Sequence, residues 1–359
     1  MRILAASTHG VGHFGPLVPF LYSAIRQGHD VLVVGPPTLD PREFPFRPGA
    51  SPPEDELGPL WASMPQQPPA QAEVLVVGHI FARLNVQAML GPLGEAIEEW
   101  QPDLVLRETA EFASAIAAET HGVPHARVAT GLALVEEGAL AFAAPGVEEV
   151  RVGIIEQIAA SPCLTCWPAS VDNGSTAAHR FADPAVEAPT EALPDWWPGD
   201  TRPLVYVSFG TVAAAVPPAR VAYPKSLEAA EALEARVLLT TGHELELDGV
   251  PGNVHVERWV DQADVLAEAS VVVGHGGSGT TLGALAAGVP QVVAPLFADQ
   301  PFNAARVAMV GAGVVSSLDY LRPSIERVLG EKRFRHAALR VADEMRGQRP
   351  IDEFLEVAL

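Results

Sequence analysis

Cysteine is nearly missing. The 359-residue chain has two, Cys163 and Cys166, too few to staple a secreted domain or to complete a zinc site unaided. Redox pairs of C-x-x-C spacing usually open a helix in an electropositive setting, whereas Cys163 to Trp167 has the pattern of a strand, so two ordinary, mostly buried thiols are expected. Basic residues are scarce too: Lys and Arg number 23 against 44 Asp and Glu, a net charge of −21. A field of that sign repels polyanions and removes nucleic acid from the expected partners.

Long hydrophobic runs are also lacking. The longest weakly polar stretch, Leu282 to Ala298, is broken by Gly283, Gly288, Pro290 and Pro295 and falls short of the roughly 20 residues of a membrane span. No span is expected. Met1–Ser7 is followed at once by His9, Gly10 and Gly12, without a long apolar region ahead of a cleavage site, so the expected location is cytoplasmic. What is present suits a globular protein: 48% of residues are hydrophobic and 19% charged, enough apolar surface to offset the entropy of ordering the chain. At about 150 residues per domain, the length points to two domains or one large one.

Short apolar runs alternate with segments of helical period. Arg2–Ala6, Val31–Val34 and Asp103–Leu106 read as strands with helices at Leu17–Arg26 and Ala113–Thr120, the pattern of β-α-β units. It restarts downstream with strands at Leu204–Phe209, Arg236–Leu239, Val271–Val273, Gln291–Ala294 and Gly313–Val315, and helices near Ser226–Ala235, Thr280–Ala287 and Asn303–Met309. Two α/β domains with parallel sheets follow. Between them, Pro184 to Pro203 carries Pro189, Pro194, Pro198, Trp196, Trp197, Gly199 and Asp200, a composition that resists helix and strand. The expected organisation is an N-terminal domain over 1–190, a linker over 191–203, a second domain over 204–345, and a terminal helix over 346–359 packing back on the first domain. Two such halves make a cleft, the default place for a ligand.

The densest signal is His275-Gly276-Gly277-Ser278-Gly279-Thr280-Thr281, between a strand and a helix start. Glycines let the backbone approach a phosphate, and the unpaired N–H groups of the first helical turn point at it; the hydroxyls and the His275 ring can add donors. The alternative is a tight turn with a hydroxyl cap. Asp299-Gln300-Pro301-Phe302-Asn303 reads either as a helix start, with Asp299 as cap and Pro301 in the first turn, or as a carboxylate and an amide gripping a polyol. Trp259, ahead of Val260-Asp261-Gln262, is either a core residue or a flat face for a base. Ser208-Phe209-Gly210-Thr211 ends a strand and is either an ordinary turn or a further hydroxyl and glycine on the same sheet edge.

The first domain opens with a literal G-x-G-x-x-G, Gly10, Gly12 and Gly15. A dinucleotide fold needs an acid at the end of the second strand, and here that strand ends Val33-Val34-Gly35-Pro36 while Asp30 lies at its other end, so the motif is weak. His13, in the same loop, is a candidate general base, histidine having an ordinary pKa of about 6.5, or else a packing histidine. Such a base works better when a carboxylate orients it: Glu108, after the strand Asp103–Leu106, is the candidate, with Glu111 a weaker one, and either could be a solvated acid at a helix start.

Together these residues resemble the inverting nucleotide-sugar glycosyltransferases of GT-B fold, in the bacterial branch that glycosylates polyketide, macrolide and similar aglycones. The likeness covers nearly the whole chain, most specifically Val205–Thr211, Val237–Gly242, Asn253–Gln262, His275–Thr281 and Gly288–Asn303; in the N-terminal half it rests on Gly12-His13, Pro102–Glu108 and Gly122-Val123-Pro124. It implies two Rossmann-like parallel-sheet domains facing across a cleft. His13 would remove the acceptor's proton, with Glu108 where the family usually has Asp. Ser208, Gly210, Thr211, His275, Gly277, Ser278, Gly279 and Thr280 would surround the donor diphosphate, Trp259 and Gln262 the nucleobase, and Asp299 and Gln300 the sugar. Gly283 stands where uridine-preferring plant relatives keep a ribose-binding Glu, which favours a dTDP-sugar over a UDP-sugar. Gly274 replaces the first of two histidines common in bacterial members, and the stretches after Pro37, near Val150–Ile155 and at Val315–Tyr320 look trimmed. The implied partners are a sugar nucleotide and a small-molecule aglycone, with no separate cofactor and no metal; a homodimer is compatible with this. A nucleotide-sugar epimerase or hydrolase of the same build, and a non-catalytic sugar-nucleotide-binding subunit, are the alternatives.

Overall fold

The computed structural model describes residues 1–172, 178–182, 189–211 and 213–359. The chain divides into two units: Met1–Cys166 with Asn173–Phe181 and Arg349–Leu359, and Trp167–Asp172 with Ala182–Gln348. The strands are β1 (Arg2–Ala6), β2 (Asp30–Gly35), β3 (Phe46–Pro48), β4 (Leu104–Glu108), β5 (His125–Val128), β6 (Cys163–Thr165) and β7 (Ala178–Ala182), then β8 (Leu204–Ser208), β9 (Arg236–Thr240), β10 (Val254–Glu257), β11 (Ala269–Gly274), β12 (Gln291–Val293) and β13 (Gly313–Val315), and last β14 (Arg349–Pro350). One sheet has the order β14-β7-β6-β5-β4-β1-β2-β3 and the other β10-β9-β8-β11-β12-β13. From β7 across to β3, and throughout the second sheet, neighbouring strands are parallel.

Parallel strands covered by helices on both faces read as unbroken apolar runs, and β1 shows why. Ile3 and Ala5 pack with Leu17, Phe20, Leu21 and Leu106 on one face, while Leu4 and Ala6 pack with Leu93, Ile97 and Val105 on the other. A buried side chain of Phe20's size stabilises by roughly 1.5–3 kcal/mol. In each sheet the strand order reverses once: successive strands run outward one way from β1 and the other way from β4, and likewise from β8 and from β11. In open α/β sheets the crevice at such a reversal, outside the carboxyl ends of the strands, is where ligands bind.

Three expectations are corrected. The boundary at 190 falls inside the second unit, and the proline-rich stretch is not a free tether. Residues 184–188 lie outside the described residues, but the backbone N–H groups of Thr190 and Glu191 donate to Oδ1 of Asp264 at 2.6 and 3.1 Å, and Trp196 and Trp197 pack against the second unit's core. The terminal segment is not one helix: β14 leads into a 3₁₀ turn, Ile351–Glu353, and a four-residue helix, Leu355–Ala358. It clusters with the first unit, where Phe354 meets the ring of Phe20 edge-on, centroids 5.4 Å apart. Finally, a helix absent from the sequence reading runs 30 residues, Gln71–Trp100, and is long and apolar enough to cross a membrane. Here its Val77, Ala82, Val86, Met89, Leu93 and Ile97 line the first unit's core. Its turns over Val74–Asn85 are wide, of π type, and Gly78, Gly91, Gly94 and Pro92 obscure its period in the sequence.

Neither cysteine is in a disulfide; Cys163 is buried and Cys166 half-buried. Burial holds the Cys163 thiol above its ordinary pKa, the opposite of what a reactive thiol needs.

Candidate active site

β1 and β4 are register partners, Ala6 opposite Arg107, so the loops leaving their carboxyl ends emerge side by side. The first turns at Gly10, whose φ of 113° is a conformation that favours glycine, into a short helix, Val11–Phe14. Gly12 and Gly15 have open space where a Cβ would stand, so the G-x-G-x-x-G spacing marks no close backbone approach. Nδ1 of His13 lies 3.1 Å from Oε2 of Glu108, the last residue of β4. The Glu108 side chain is fully buried and that of His13 is 28% exposed.

Four donors converge on the Glu108 carboxylate. Oε1 accepts from the backbone N–H of Thr8 at 3.1 Å and its hydroxyl at 2.8 Å; Oε2 accepts from the N–H of Ala110 at 2.7 Å and from His13. Burial by itself raises the Glu108 pKa, but the charge and hydrogen bond of His13 and the N–H groups of Ala110 and Thr8 outweigh it, leaving the carboxyl below its ordinary value. An ionised carboxylate only accepts, so Nδ1 of His13 carries a hydrogen, and in the neutral form of the ring it is Nε2 that presents the lone pair. The ring is braced edge-on by Phe81, centroids 5.3 Å apart, from the long helix. Behind Glu108, the buried Arg107 donates from Nη1 to the carbonyl oxygens of Glu108 and Thr109 at 3.2 and 3.3 Å; burial draws its pKa down to about 10, so it stays charged at neutral pH.

Glu111 does not orient His13. It is buried, and its Oε2 accepts from the N–H of Ser114 at 2.8 Å, serving the helix Ala113–His121. Burial pushes its pKa up to about 7. Thr8, Ala110 and Phe81 were not singled out from the sequence; a hydroxyl closing a strand just ahead of a glycine loop was the available sign for Thr8.

In the second unit β8 and β11 are register partners at the reversal of strand order, Ser208 opposite Gly274. The loop after β11 leads into the helix Ser278–Ala286, whose N-cap is Gly277 and which has no side-chain cap. The first N–H groups of that helix are therefore open, with the positive end of its dipole, to an anion. Gly276 has φ +91°, and a Cβ there would meet Val293 Cγ1 at 2.9 Å. Gly210, in the turn after β8, has φ +71°, and a Cβ there would come within 3.0 Å of the His275 ring. Ser208 is buried and Thr211 exposed. Burial lowers the His275 pKa to about 4, a hydrogen bond to the Ser208 backbone pulling the other way, so the ring is neutral at physiological pH.

Gln262 opens the helix Gln262–Glu268 and reaches Thr280, Nε2 to Oγ1 3.3 Å; a Cβ on Gly283 would stand 2.7 Å from its Oε1. Trp259 leaves the same sheet edge beyond β10 and is 67% exposed, which removes the core alternative. Asp299 Oδ2 accepts from the Ser278 hydroxyl at 3.4 Å and from Asn303 Nδ2 at 2.8 Å. Gln300 is buried, and its Oε1 accepts from the N–H groups of Leu296 and Phe297 at 2.8 and 2.9 Å. The structure thus gathers the predicted donor residues at one edge of the second sheet and the His13–Glu108 pair at the corresponding edge of the first. Among the described residues no group of three or more His, Cys, Asp and Glu could hold a metal ion.

A family model for the C-terminal domain of erythromycin biosynthesis protein CIII-like proteins matches residues 225–356, and its N-terminal counterpart matches 71–173. The elloramycin glycosyltransferase ElmGT of Streptomyces olivaceus is 32% identical, the match covering 96% of this chain and 94% of that one. Among solved structures, the glycosyltransferase SnogD from Streptomyces nogalater superposes with a TM-score of 0.77 at 28% identity, covering 99% of this chain and 98% of that one. The spinosyn rhamnosyltransferase SpnG, solved with thymidine diphosphate, gives 0.79 at 19% identity over 99% of both chains. The chain belongs to the erythromycin biosynthesis protein CIII-like family and is a nucleotide-sugar-dependent glycosyltransferase of GT-B fold, of the kind found in antibiotic pathways.

Proposed function

We propose that this enzyme transfers a sugar or deoxysugar from a dTDP-sugar to a hydroxyl of a small natural-product aglycone, in the cytoplasm, with inversion at the anomeric carbon and without a metal. The observation that carries the reading is the His13–Glu108 pair: an imidazole bonded through Nδ1 to a buried, ionised carboxylate, so that the neutral ring has its lone pair on Nε2. Nε2 takes the acceptor's proton as the acceptor oxygen forms its bond to the anomeric carbon from the face opposite the leaving group. The bond from that carbon to the diphosphate oxygen breaks, and the electron pair leaves with dTDP. Imidazolium formed at His13 is stabilised by Glu108.

Charge accumulates on the departing diphosphate, and the uncapped N–H groups of the helix from Ser278, the hydroxyls of Ser278 and Thr280 and the N–H of His275 are the groups assigned to it. Fixed donors aimed at developing charge do the work a metal ion does elsewhere. Trp259, exposed on its loop, supplies a stacking face for thymine; Gln262 is placed at the base, and Asp299 and Gln300 at the sugar. The thymidine diphosphate complex of SpnG is a precedent within this fold, and the lack of a side chain at Gly283, beside Gln262, supports dTDP over UDP.

Calorimetric titration with dTDP, UDP and NAD⁺, in EDTA and then in Mg²⁺, tests the donor assignment. Tight dTDP binding, weaker UDP, silent NAD⁺ and no effect of metal are expected. Binding of NAD⁺ alone would overturn the reading. Sugar turnover in the absence of any acceptor would favour an epimerase or hydrolase instead.

A further inference from the structure

The helix Gln300–Met309 carries one side chain that touches both halves of the donor site. Asn303 has no solvent exposure. Its Nδ2 lies 2.8 Å from the carbonyl oxygen of Gly276, in the glycine loop, and 2.8 Å from Oδ2 of Asp299. Both neighbours accept and neither donates, so the amide orientation is determined: one nitrogen with two hydrogens is shared between them. Oδ1, on the other side, is buried with no partner. An orphaned buried acceptor is costly, and it is tolerated here because turning the amide over would sacrifice two bonds, one of them to a charged group.

The network continues. Asp299 Oδ2 also accepts from the Ser278 hydroxyl, closing a ring from the glycine loop through Asn303 and Asp299 to the first residue of the helix behind that loop. Gly276 is closely surrounded, since a Cβ there would meet Val293 at 2.9 Å and the Gln300 backbone oxygen at 3.0 Å. Ala298, just before Asp299, has φ 54°. A non-glycine residue in that region persists only where its surroundings impose it, and the bonds from Asn303 to Asp299 and from Leu296 and Phe297 to Gln300 do so on its C- and N-terminal sides.

We propose that Asn303 is a positioning residue that couples the two donor subsites: through Gly276 it fixes the glycine loop that meets the diphosphate, and through Asp299 it fixes the carboxylate that meets the sugar. The inference rests on the assignment of those subsites in the proposed function. Since one amide group serves both, affinity for the nucleotide and affinity for the sugar are not independent.

The test compares Asn303→Ala, Asn303→Asp, Asp299→Ala and the double variant Asn303→Ala/Asp299→Ala, with dTDP and dTDP-glucose affinities by calorimetry, donor KM and kcat by turnover, and thermal melting as the check on folding. Losing the two donated bonds is expected to weaken dTDP-glucose by about tenfold or more and dTDP by a smaller factor, with donor KM rising more than kcat falls. Aspartate, equal in size but placing a carboxylate against two acceptors, is expected to do at least as much damage as alanine. In the Asp299→Ala background the sugar-dependent part of the Asn303→Ala loss disappears and the dTDP part remains. A folded Asn303→Asp with wild-type donor KM, or an equal loss of dTDP-glucose affinity in both backgrounds, overturns the coupling. If these variants do not fold, Asn303→Ser, which keeps one donor, carries the comparison: a selective loss of sugar-nucleotide affinity supports the coupling and unchanged affinity overturns it. Wild-type protein that fails to bind dTDP, or Asp299→Ala with unchanged dTDP-glucose affinity, sinks the functional reading together with this inference, whereas intact wild-type binding that Asn303 variants leave untouched sinks the inference alone.

Discussion

Nδ1 of His13 meets Oε2 of Glu108 at 3.1 Å, and the carboxylate on the inner side of that contact has no exposure to solvent. Two parallel neighbours, β1 and β4, carry the pair to one sheet edge, and three further donors from Thr8 and Ala110 hold the carboxylate in place. In its neutral form the ring thereby has its hydrogen on Nδ1 and its lone pair on Nε2.

Replacing His13 by Ala is expected to lower kcat by about 10²–10⁴ while dTDP affinity stays at the wild-type value, since every group assigned to the nucleotide lies in the second unit. Steady-state turnover beside calorimetry checks this; unchanged turnover removes His13 from the mechanism.

Glu108 and Glu111, three residues apart and both buried, are expected to act on stability with opposite signs. The Glu108 pKa is lowered in the folded state, so its contribution is present above the ordinary value of 4.5 and is lost as pH falls through the folded one. Glu108→Gln turns an NH₂ toward donors and is expected to cost about 1–3 kcal/mol near neutral pH, less in acid. The Glu111 pKa is raised to about 7, so the folded protein holds a proton that the unfolded chain releases, and stability falls between pH 4.5 and 7. Glu111→Gln keeps an acceptor for Ser114 and is expected to melt higher than wild type at pH 8, the advantage vanishing near pH 4. Melting curves across that range decide it, and parallel trends for the two variants would contradict the assignment.

The legible parts of the molecule were those where local pattern and tertiary packing agree. β1 and β13 begin and end where alternating apolar runs place them, because buried parallel strands need no polar face. β4 runs further than its apolar core, through Arg107 and Glu108, because the Glu108 charge is met by Thr8 and His13, 100 and 95 residues away, which no local pattern encodes. The helix Ala222–Glu231 starts four residues ahead of its expected position, with Pro224 in the first turn where a missing N–H is harmless; Leu233 and Ala235 bury in the core instead. In the site, His13, Glu108 and the glycine loop were visible as chemistry-bearing residues at strand ends. Asn303 was not, although its spacing of four from Asp299 on a helix is the available sign.

Trp259→Ala is expected to weaken dTDP by about 5- to 150-fold, the range for loss of one base–aromatic stack, with little change in melting temperature because the ring is largely exposed. Titration and a melting curve on the same preparation check both halves. Full affinity would move the base elsewhere.

His275→Ala is expected to weaken dTDP binding more than it slows turnover at saturating donor. In the wild type, His275, held near pKa 4 by burial, is neutral through pH 6–8, so dTDP affinity is expected to show no titration step of His275 there. An affinity rising on acidification with a midpoint near 6.5 would mean that a charged His275 binds the phosphate.

The most direct test of in-line attack by an acceptor oxygen activated at His13 is the anomeric configuration of the product. With an α-linked dTDP-sugar as donor, the proton coupling at the anomeric centre should report a β-glycoside formed by the wild type. An α-glycoside would contradict single displacement and require a route in which His13 does not activate the attacking oxygen.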